Sequence, residues 1–141
     1  MPPKGAPARA EPGVDGKARV LIVDDDPAHL RIYGWIVDQA GFEARPALVT
    51  GEGINFPEGS VDLVVMDYRL TPQLSAVRAA QATRSRYPKA PIIVLSDLYG
   101  LPADIAPHVW GFVRKGEPAK LVDTLGRCVQ ELGTGLRDGA E

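Results

Sequence analysis

The sequence predicts a single α/β domain in which a doubly wound, five-stranded parallel sheet carries helices on both faces. Three continuous apolar runs, typical of strands buried on both faces, cover Arg19–Asp24, Val61–Asp67 and Pro91–Ser96. Stretches with helical periodicity lie between these runs, and strands that alternate with helices in this way form a parallel sheet. A chain of 141 residues has room for one such domain.

The composition excludes several classes of protein. The 16 basic and 18 acidic residues nearly balance, which argues against a protein that coats nucleic acid, because phosphate contacts need a surplus of lysine and arginine. The single cysteine, Cys128, excludes an intramolecular disulfide and a cysteine-based zinc cluster, and we expect it to be a small buried apolar residue. No apolar run is long enough to span a membrane, and no signal peptide is visible. We therefore expect a cytoplasmic protein with no direct nucleic-acid or membrane partner.

The two ends of the chain differ in composition from the middle. Residues 1–18 combine several prolines and glycines with few large aliphatic side chains. Such a segment buries too little apolar area to offset the loss of chain entropy, so we predict a flexible arm. Residues 133–141 are rich in glycine and follow the last periodic apolar residue, and we predict a flexible tail. The folded domain is predicted over residues 19–132.

The first half of this domain is predicted to hold two strands and one regular helix. After the first strand, Asp26 and Pro27 suit the N-cap and first position of a helix, and apolar residues recur at helical spacing until Gly41 ends it. A weaker strand is predicted over Phe42–Leu48. The segment 50–59 carries glycines and a proline, so any helix in it should be short or degraded.

The second half is predicted to hold the remaining strands and helices. A helix runs from the Thr71-Pro72 pair, which suits an N-cap and first position, to about Tyr87. Two prolines make a helix over 101–108 doubtful. A last strand is predicted over 110–114, and a last helix over 118–132.

Polar residues gather where the predicted strands end. Asp24 and Asp25 end the first strand, Asp67 the third and Ser96 the fourth, while Lys115 lies just past the fifth. In open α/β sheets the carboxyl ends of the strands border the ligand crevice. A single aspartate there is often only a helix cap, but three crowded carboxylates destabilise one another unless a cation neutralises them. Hard oxygen ligands favour Mg²⁺, so the sequence predicts a magnesium site rather than a merely acidic cleft.

A carboxylate beside Mg²⁺ can act as a nucleophile toward phosphorus and form an acyl phosphate. Asp67 is the best candidate because it stands alone on the central strand, between the acidic pair and Ser96. Lys115 and the metal would neutralise charge on the transferred group, and the Ser96 hydroxyl can donate a hydrogen bond to it. His29 and His108 have no partner at metal-ligand spacing, and we predict them as surface or cap residues.

Four motifs in this order resemble a known family, the receiver domains of two-component response regulators. They are residues 23–27 (VDDDP), 67–70 (DYRL), 94–96 (VLS) and 111–115 (GFVRK). Each motif is weak alone, but together and on these strands they are specific. The resemblance covers residues 19–132 and implies the flavodoxin-like strand order 2-1-3-4-5.

The resemblance also implies a role for each residue of the predicted site. Mg²⁺ is the implied cofactor, and the phosphoryl group is the implied ligand. By resemblance, Asp67 is the phosphoacceptor and a metal ligand, Asp25 is a direct metal ligand, and Asp24 acts on the metal through water. The backbone carbonyl of Arg69 is a further metal ligand. Ser96 is the switch hydroxyl, Lys115 is the phosphoryl-binding lysine, and Phe112 is the switching aromatic. For Phe112, ordinary core packing is an equally good interpretation.

By this resemblance the protein is a stand-alone response regulator. Asp67 would accept a phosphoryl group from a histidine kinase or phosphotransfer protein, and the signal would pass to an unidentified downstream protein, with a homodimer also allowed. Such a protein is not an enzyme beyond its own phosphorylation and dephosphorylation. One alternative is a pseudo-receiver that binds partners without phosphorylation. Another is a haloacid-dehalogenase-type phosphatase, whose Asp-x-Asp spacing occurs at Asp24 and Asp26.

Three departures from the family pattern are visible. Residues 71–75 replace the usual turn after the acceptor, so that loop should differ. Gly116 follows the lysine where the family usually has proline, which predicts a freer backbone there. The segment from Ser96 to Lys115 is short and contains two prolines, so its helix should be shortened or irregular. These changes spare the predicted chemistry and affect the face that would signal.

Overall fold

The computed structural model describes residues 16–140, with side chains as far as Leu132. Nearly all of the predicted flexible arm therefore lies outside the described residues. Glu141, the last residue of the predicted tail, also lies outside them.

The strands of the described residues form one six-stranded sheet in the order β3-β2-β1-β4-β5-β6. All neighbouring strands are parallel except β2 and β3, which are antiparallel. The five predicted strands are all present, and their spatial order is the predicted 2-1-3-4-5 when they are numbered as predicted. The strands are β1 (Arg19–Asp24), β2 (Glu43–Thr50), β3 (Gly53–Asn55), β4 (Leu63–Asp67), β5 (Ile92–Ser96) and β6 (Gly111–Arg114).

The predicted count of five strands is wrong by one, because residues 53–55 form a hairpin strand and the segment 50–59 contains no helix. Strand β3 folds back onto the end of β2, with Thr50 opposite Gly53 and Leu48 opposite Asn55. The hydroxyl of Thr50 accepts a hydrogen bond from the N–H of Glu52 at 3.1 Å, which closes the turn. Gly53 has a φ of +126°, a backbone conformation that favours glycine. The turn chemistry of this segment thus favours a hairpin, and pairing with the end of β2 completes it.

Within residues 16–140, three α-helices and one 3-10 turn accompany the strands: α1 (Pro27–Gln39), α2 (Ala76–Arg86), the turn Ala106–His108, and α3 (Pro118–Ala140). Helix α1 begins as predicted, since the Asp26 side chain caps it by accepting from the N–H of Ala28 at 2.9 Å. The predicted end of the last helix at Leu132 is too early, because α3 continues to Ala140. The doubtful helix over 101–108 is reduced to the 3-10 turn.

The predicted start of the second helix is wrong. The segment 71–75 forms a turn in which the N–H of Leu74 donates to the carbonyl of Thr71 at 3.1 Å. Ser75 is the N-cap of α2, and its hydroxyl accepts from the N–H of Arg78 at 3.2 Å. Both Thr71 and Ser75 suit a cap, and the path of the chain away from β4 decides between them.

The two faces of the sheet are covered differently. On one, which we call the helical face, the strand residues Val20, Ile22, Leu63, Val65, Ile93 and Leu95 pack against apolar side chains of α1 and α3. On the other, which we call the irregular face, α2 contributes only the small side chains of Ala76, Ala79 and Ala80 to the buried cluster. Ile105, which precedes the 3-10 turn, is also fully buried there.

Candidate functional site

The carboxyl ends of β1, β4 and β5 lie side by side, as the sequence predicts. Val23 pairs with Met66 in the parallel register of β1 and β4, so the next residues, Asp24 and Asp67, end neighbouring strands at the same level. Both are buried, with exposures of 1% and 3%. Ser96 ends β5 and is fully buried. The fold therefore brings two carboxylates and one hydroxyl to one edge of the sheet.

Asp67 is held by a cation and by a backbone donor. The Nζ atom of Lys115 lies 2.8 Å from Asp67 Oδ1, and the N–H of Arg69 donates to the same oxygen at 3.1 Å. Lys115 reaches this position because its own N–H donates to the carbonyl of Ser96 at 2.8 Å, just past the last pair of β5 and β6. The lysine at the end of the last strand is thus paired directly with the predicted acceptor.

The electrostatics of this edge follow from burial and crowding. Burial raises the pKa of Asp24 most, and the negative charge of Asp67 adds to it, so the pKa reaches about 6. Burial lowers the pKa of Lys115, but the hydrogen bond to Asp67 and the surrounding negative charge outweigh burial and raise it. Lys115 is therefore charged at neutral pH, while Asp24 keeps an unfavourable charge that a further cation would stabilise.

The prediction that His29 has no partner at metal-ligand spacing is wrong. Its Nδ1 atom lies 3.4 Å from Asp24 Oδ2, and its Nε2 atom lies 3.5 Å from Asp26 Oδ2. One potential ligand atom from each of Asp24, His29 and Asp67 lies within 4.8 Å of the others. The spacing of three residues between the N-cap Asp26 and His29 was the available signal, because it places both on one side of the first helical turn. His108 lies in the 3-10 turn, and its carbonyl accepts from the guanidinium of Arg84 at 2.9 Å.

The residues present fit a divalent cation. Two buried carboxylates converge, the pKa of one of them is raised, and hard carboxylate oxygens suit Mg²⁺. Asp25 is half-buried and does not belong to the close group formed by Asp24, His29 and Asp67. Its predicted role as a direct ligand stays a prediction, as does that of the Arg69 carbonyl.

The remaining predicted site residues lie close to this edge in the sheet. The Ser96 hydroxyl accepts from the N–H of Leu98 at 3.0 Å. Phe112 is half-buried in β6 and packs against the core of the irregular face. Gly116, directly after Lys115, has a φ of +85°, which the ring of proline excludes. The turn after the lysine therefore differs from the family pattern, as the sequence indicates.

The segment 97–110 is tied to the residues that follow Asp67. The hydroxyl of Tyr68 donates to Asp104 Oδ1 at 3.0 Å, and the Nε atom of Arg69 lies 3.2 Å from Asp97 Oδ1. Because both pairs are exposed, each of these contacts is weak.

No family model matches the sequence, and no curated protein matches it either. Many solved structures share the fold. A CheY-like receiver domain protein from Methanospirillum hungatei JF-1 aligns with a TM-score of 0.71 and 18% identity, covering 84% of this chain and 98% of that chain. A receiver domain protein from Clostridium thermocellum aligns with a TM-score of 0.66 and 19% identity, covering 83% and 98%. The chemotaxis response regulator CheY4 of Vibrio cholerae aligns with a TM-score of 0.66 and 23% identity, covering 79% and 98%.

These likenesses place the chain in a structural class: it has the fold of CheY-like response regulator receiver domains. The resemblance noted from the sequence is thus confirmed at the level of the fold. Among the helices within residues 16–140, none combines the length and the apolar character that crossing a membrane requires.

Proposed function

We propose that the protein is a phosphorylation-controlled switch in which Asp67 accepts a phosphoryl group from a histidine kinase or phosphotransfer protein in a Mg²⁺-dependent reaction. The observation that carries the proposal is the Asp67 carboxylate, buried at the end of β4 with the ammonium group of Lys115 at 2.8 Å and a second carboxylate, Asp24, beside it. The resemblance to receiver domains also makes Asp67 the phosphoacceptor, by analogy of fold.

The transfer requires one bond to form and one to break. A carboxylate oxygen of Asp67 attacks the phosphorus of a phosphohistidine, the P–N bond breaks, and the donor imidazole leaves with the electron pair. The product is an acyl phosphate on Asp67. Lys115 remains protonated at neutral pH and lies where its ammonium group can hold the phosphoryl oxygens. The Ser96 hydroxyl, at the end of the next strand, is the donor available to the product.

Asp24 and Asp67 would hold the metal, with Asp25 and the Arg69 carbonyl as further ligands by resemblance. When bound, Mg²⁺ neutralises negative charge on the carboxylates and on the transferred phosphoryl group. Such a cation would stabilise the buried carboxylate pair even without a phosphodonor. The Lys115 ammonium group contacts one oxygen of Asp67, and the pKa of Asp24 stays raised.

The phosphatase alternative requires Asp24 as nucleophile and Asp26 as general acid. Asp26 instead caps α1 through Oδ1, and the only lysine of the site contacts Asp67 rather than Asp24 within the described residues. These contacts favour Asp67 as the reacting carboxylate. The pseudo-receiver alternative keeps the fold without the chemistry, and the irregular turns after Asp67 and Lys115 are the features that motivate it.

Incubation with acetyl phosphate and Mg²⁺, followed by intact mass spectrometry, tests the proposal. We expect a gain of one phosphoryl group that base or hydroxylamine removes, no gain with EDTA, and no gain in Asp67→Asn. Asp123→Asn is the matched control because Asp123 is exposed on α3 and pairs with Arg127, and it should be phosphorylated normally. No adduct from acetyl phosphate, histidine kinases or phosphotransfer proteins would support the pseudo-receiver. Turnover of phosphoesters that depends on Asp24 would support the phosphatase.

The output of such a switch is a changed surface that a partner protein recognises. The segment 97–110 is the best candidate for that surface, since Tyr68 and Arg69, the two residues after the acceptor, contact it directly. The cytoplasm is the compartment in which a histidine kinase domain would supply the phosphoryl group.

A further inference from the structure

We infer that His29 is a nitrogen ligand of the metal site and that it gives the site a preference for transition-metal cations over Mg²⁺. The inference rests on the proposed function in so far as that function places a divalent cation between Asp24 and Asp67. It goes beyond it because nothing in the receiver motifs assigns a metal ligand to this position of α1.

The first observation is the direction of the imidazole. The Nδ1 atom of His29 is buried and has no hydrogen-bond partner among the described residues, although the ring as a whole is 42% exposed. It lies 3.4 Å from Asp24 Oδ2, and one ligand atom from each of His29, Asp24 and Asp67 lies within 4.8 Å of the others. Ligand atoms around one transition-metal ion stand roughly 3–4 Å apart, so small side-chain adjustments suffice.

The second observation is a carboxylate behind the ring. The opposite nitrogen, Nε2, lies 3.5 Å from Asp26 Oδ2, and Asp26 is itself fixed because its Oδ1 caps α1. With a cation bound at Nδ1, the proton of the neutral ring is on Nε2, where the Asp26 carboxylate stabilises it, and the lone pair of Nδ1 is directed toward the two aspartates. Histidine ligands of metals are characteristically oriented by such a carboxylate on the distal nitrogen. Tyr33 packs edge-on against the ring, with centroids 6.2 Å apart, and further restricts it.

The donor set then determines which cations bind best. Mg²⁺ takes oxygen ligands and binds imidazole poorly, whereas Zn²⁺, Co²⁺ and Ni²⁺ bind imidazole well. Asp24 and Asp67 alone form an oxygen site that suits Mg²⁺. With His29 the site has one nitrogen and two carboxylate donors, which shifts its preference toward the later transition metals. Asp26 acts as a positioning residue through His29.

Isothermal titration calorimetry of the full chain with ZnCl₂, CoCl₂ and MgCl₂, in the absence of any phosphodonor, tests the inference. We expect tighter binding of Zn²⁺ and Co²⁺ than of Mg²⁺. His29→Ala should weaken binding of Zn²⁺ and Co²⁺ at least about tenfold and leave that of Mg²⁺ within about threefold. His108→Ala is the matched control, since His108 lies before β6, at the opposite ends of the strands, and it should change none of the affinities. Circular dichroism of each variant checks that it is folded.

Two further measurements separate a ligand from a merely structural histidine. Asp26→Asn keeps a capping side chain but removes the charge behind the ring, and it should weaken Zn²⁺ binding less than His29→Ala does. In the Co²⁺-loaded protein, the visible absorption bands should shift in His29→Ala and remain unchanged in His108→Ala.

The outcomes distinguish this inference from the proposed function. Equal loss of Zn²⁺ and Mg²⁺ affinity in His29→Ala, or no loss of either, would overturn the inference and leave the phosphoacceptor proposal intact. Loss of Zn²⁺ binding in His108→Ala would show that the metal binds elsewhere. Failure of Asp67 to accept a phosphoryl group would leave the metal measurements valid, because they use no phosphodonor.

Discussion

The helical and irregular faces of the sheet are built from the same strands, yet different kinds of structure pack against them. On the helical face, α1 and α3 lay large side chains such as Leu30, Leu121 and Leu125 onto the sheet. On the irregular face, α2 contributes alanines, and a hairpin and a 3-10 turn occupy places where helices are expected. One face is therefore a regular helical layer, and the other depends on a few buried anchors.

The difference indicates where the molecule can change without unfolding. The segment 97–110 has one fully buried side chain, Ile105, and exposed polar contacts to Tyr68 and Arg69. A region with few buried contacts opens at low free-energy cost, while a helical layer opens only with the whole domain. The contacts begin at the two residues that follow Asp67. A chemical change at Asp67 would thus occur next to the part of the fold that is easiest to rearrange.

The largest expected effect comes from truncating one anchor on each face. Leu125 and Ile105 are both fully buried, so the transfer cost of losing either side chain is similar. The packed helices around Leu125 cannot move to fill the cavity that truncation leaves, whereas the irregular segment around Ile105 can collapse into its cavity. We expect Leu125→Ala to lower the free energy of unfolding by about 4 kcal/mol and Ile105→Ala by about 2 kcal/mol, measured by urea denaturation. Equal losses would show that the irregular face is packed as rigidly as the helical one.

A smaller effect is expected on the pH dependence of stability, which depends on Asp24 at the edge of the sheet between the two faces. The pKa of Asp24 is about 6 in the folded protein against an ordinary 3.8, so the folded state binds this proton more tightly than the unfolded state. The contribution of Asp24 to stability is present below pH 4 and is lost as the pH rises through 6, by roughly 1–3 kcal/mol in the metal-free protein. Asp24→Asn should remove this loss.

The difference in free energy of unfolding between Asp24→Asn and the natural protein, followed from pH 4 to 7 with EDTA present, isolates this group from the other carboxylates. The variant should gain stability relative to the natural protein across that range. Adding Mg²⁺ at pH 7 should stabilise the natural protein and have little effect on the variant. A difference that stays constant with pH would mean that Asp24 is not protonated more easily in the folded state.

The smallest effect is local. Tyr68→Phe removes the hydroxyl that donates to Asp104, and because that pair is exposed, the free energy of unfolding should fall by no more than about 0.5 kcal/mol. Amide hydrogen exchange should nevertheless become faster in residues 97–110 and stay unchanged in α1 and α3. Tyr99→Phe is the control, because its exposed ring stacks on Arg114 and the variant keeps that ring. Unchanged exchange in Tyr68→Phe would mean that this contact does not hold the segment.

Much of the site was predictable because each part of it follows a strong local pattern. Strands β1, β4 and β5 are buried on both faces and therefore appear as continuous apolar runs, and the parallel arrangement carries the residues at their ends to one edge. That is sufficient to place Asp24, Asp67 and Ser96 together. The start of α1 was predictable for a similar reason, since Asp26 and Pro27 form a local cap.

Other parts depended on how one segment pairs with its neighbour and on the path that the chain takes. The hairpin over Gly53–Asn55 forms because the end of β2 is there to pair with it, and the choice of Ser75 over Thr71 as a cap depends on the route away from β4. Local propensity does not distinguish these outcomes, because both alternatives satisfy the same turn and capping preferences.

By itself the sequence determined the class of fold, the order of the five parallel strands and the presence of Asp24 and Asp67 at one edge of the sheet. Only the tertiary structure decided that Lys115 lies on Oδ1 of Asp67 and that His29 turns a buried nitrogen toward Asp24. The physical reason is that hydrophobic periodicity is a property of a segment, whereas the distance between two side chains depends on strand register, helix phase and rotamer together.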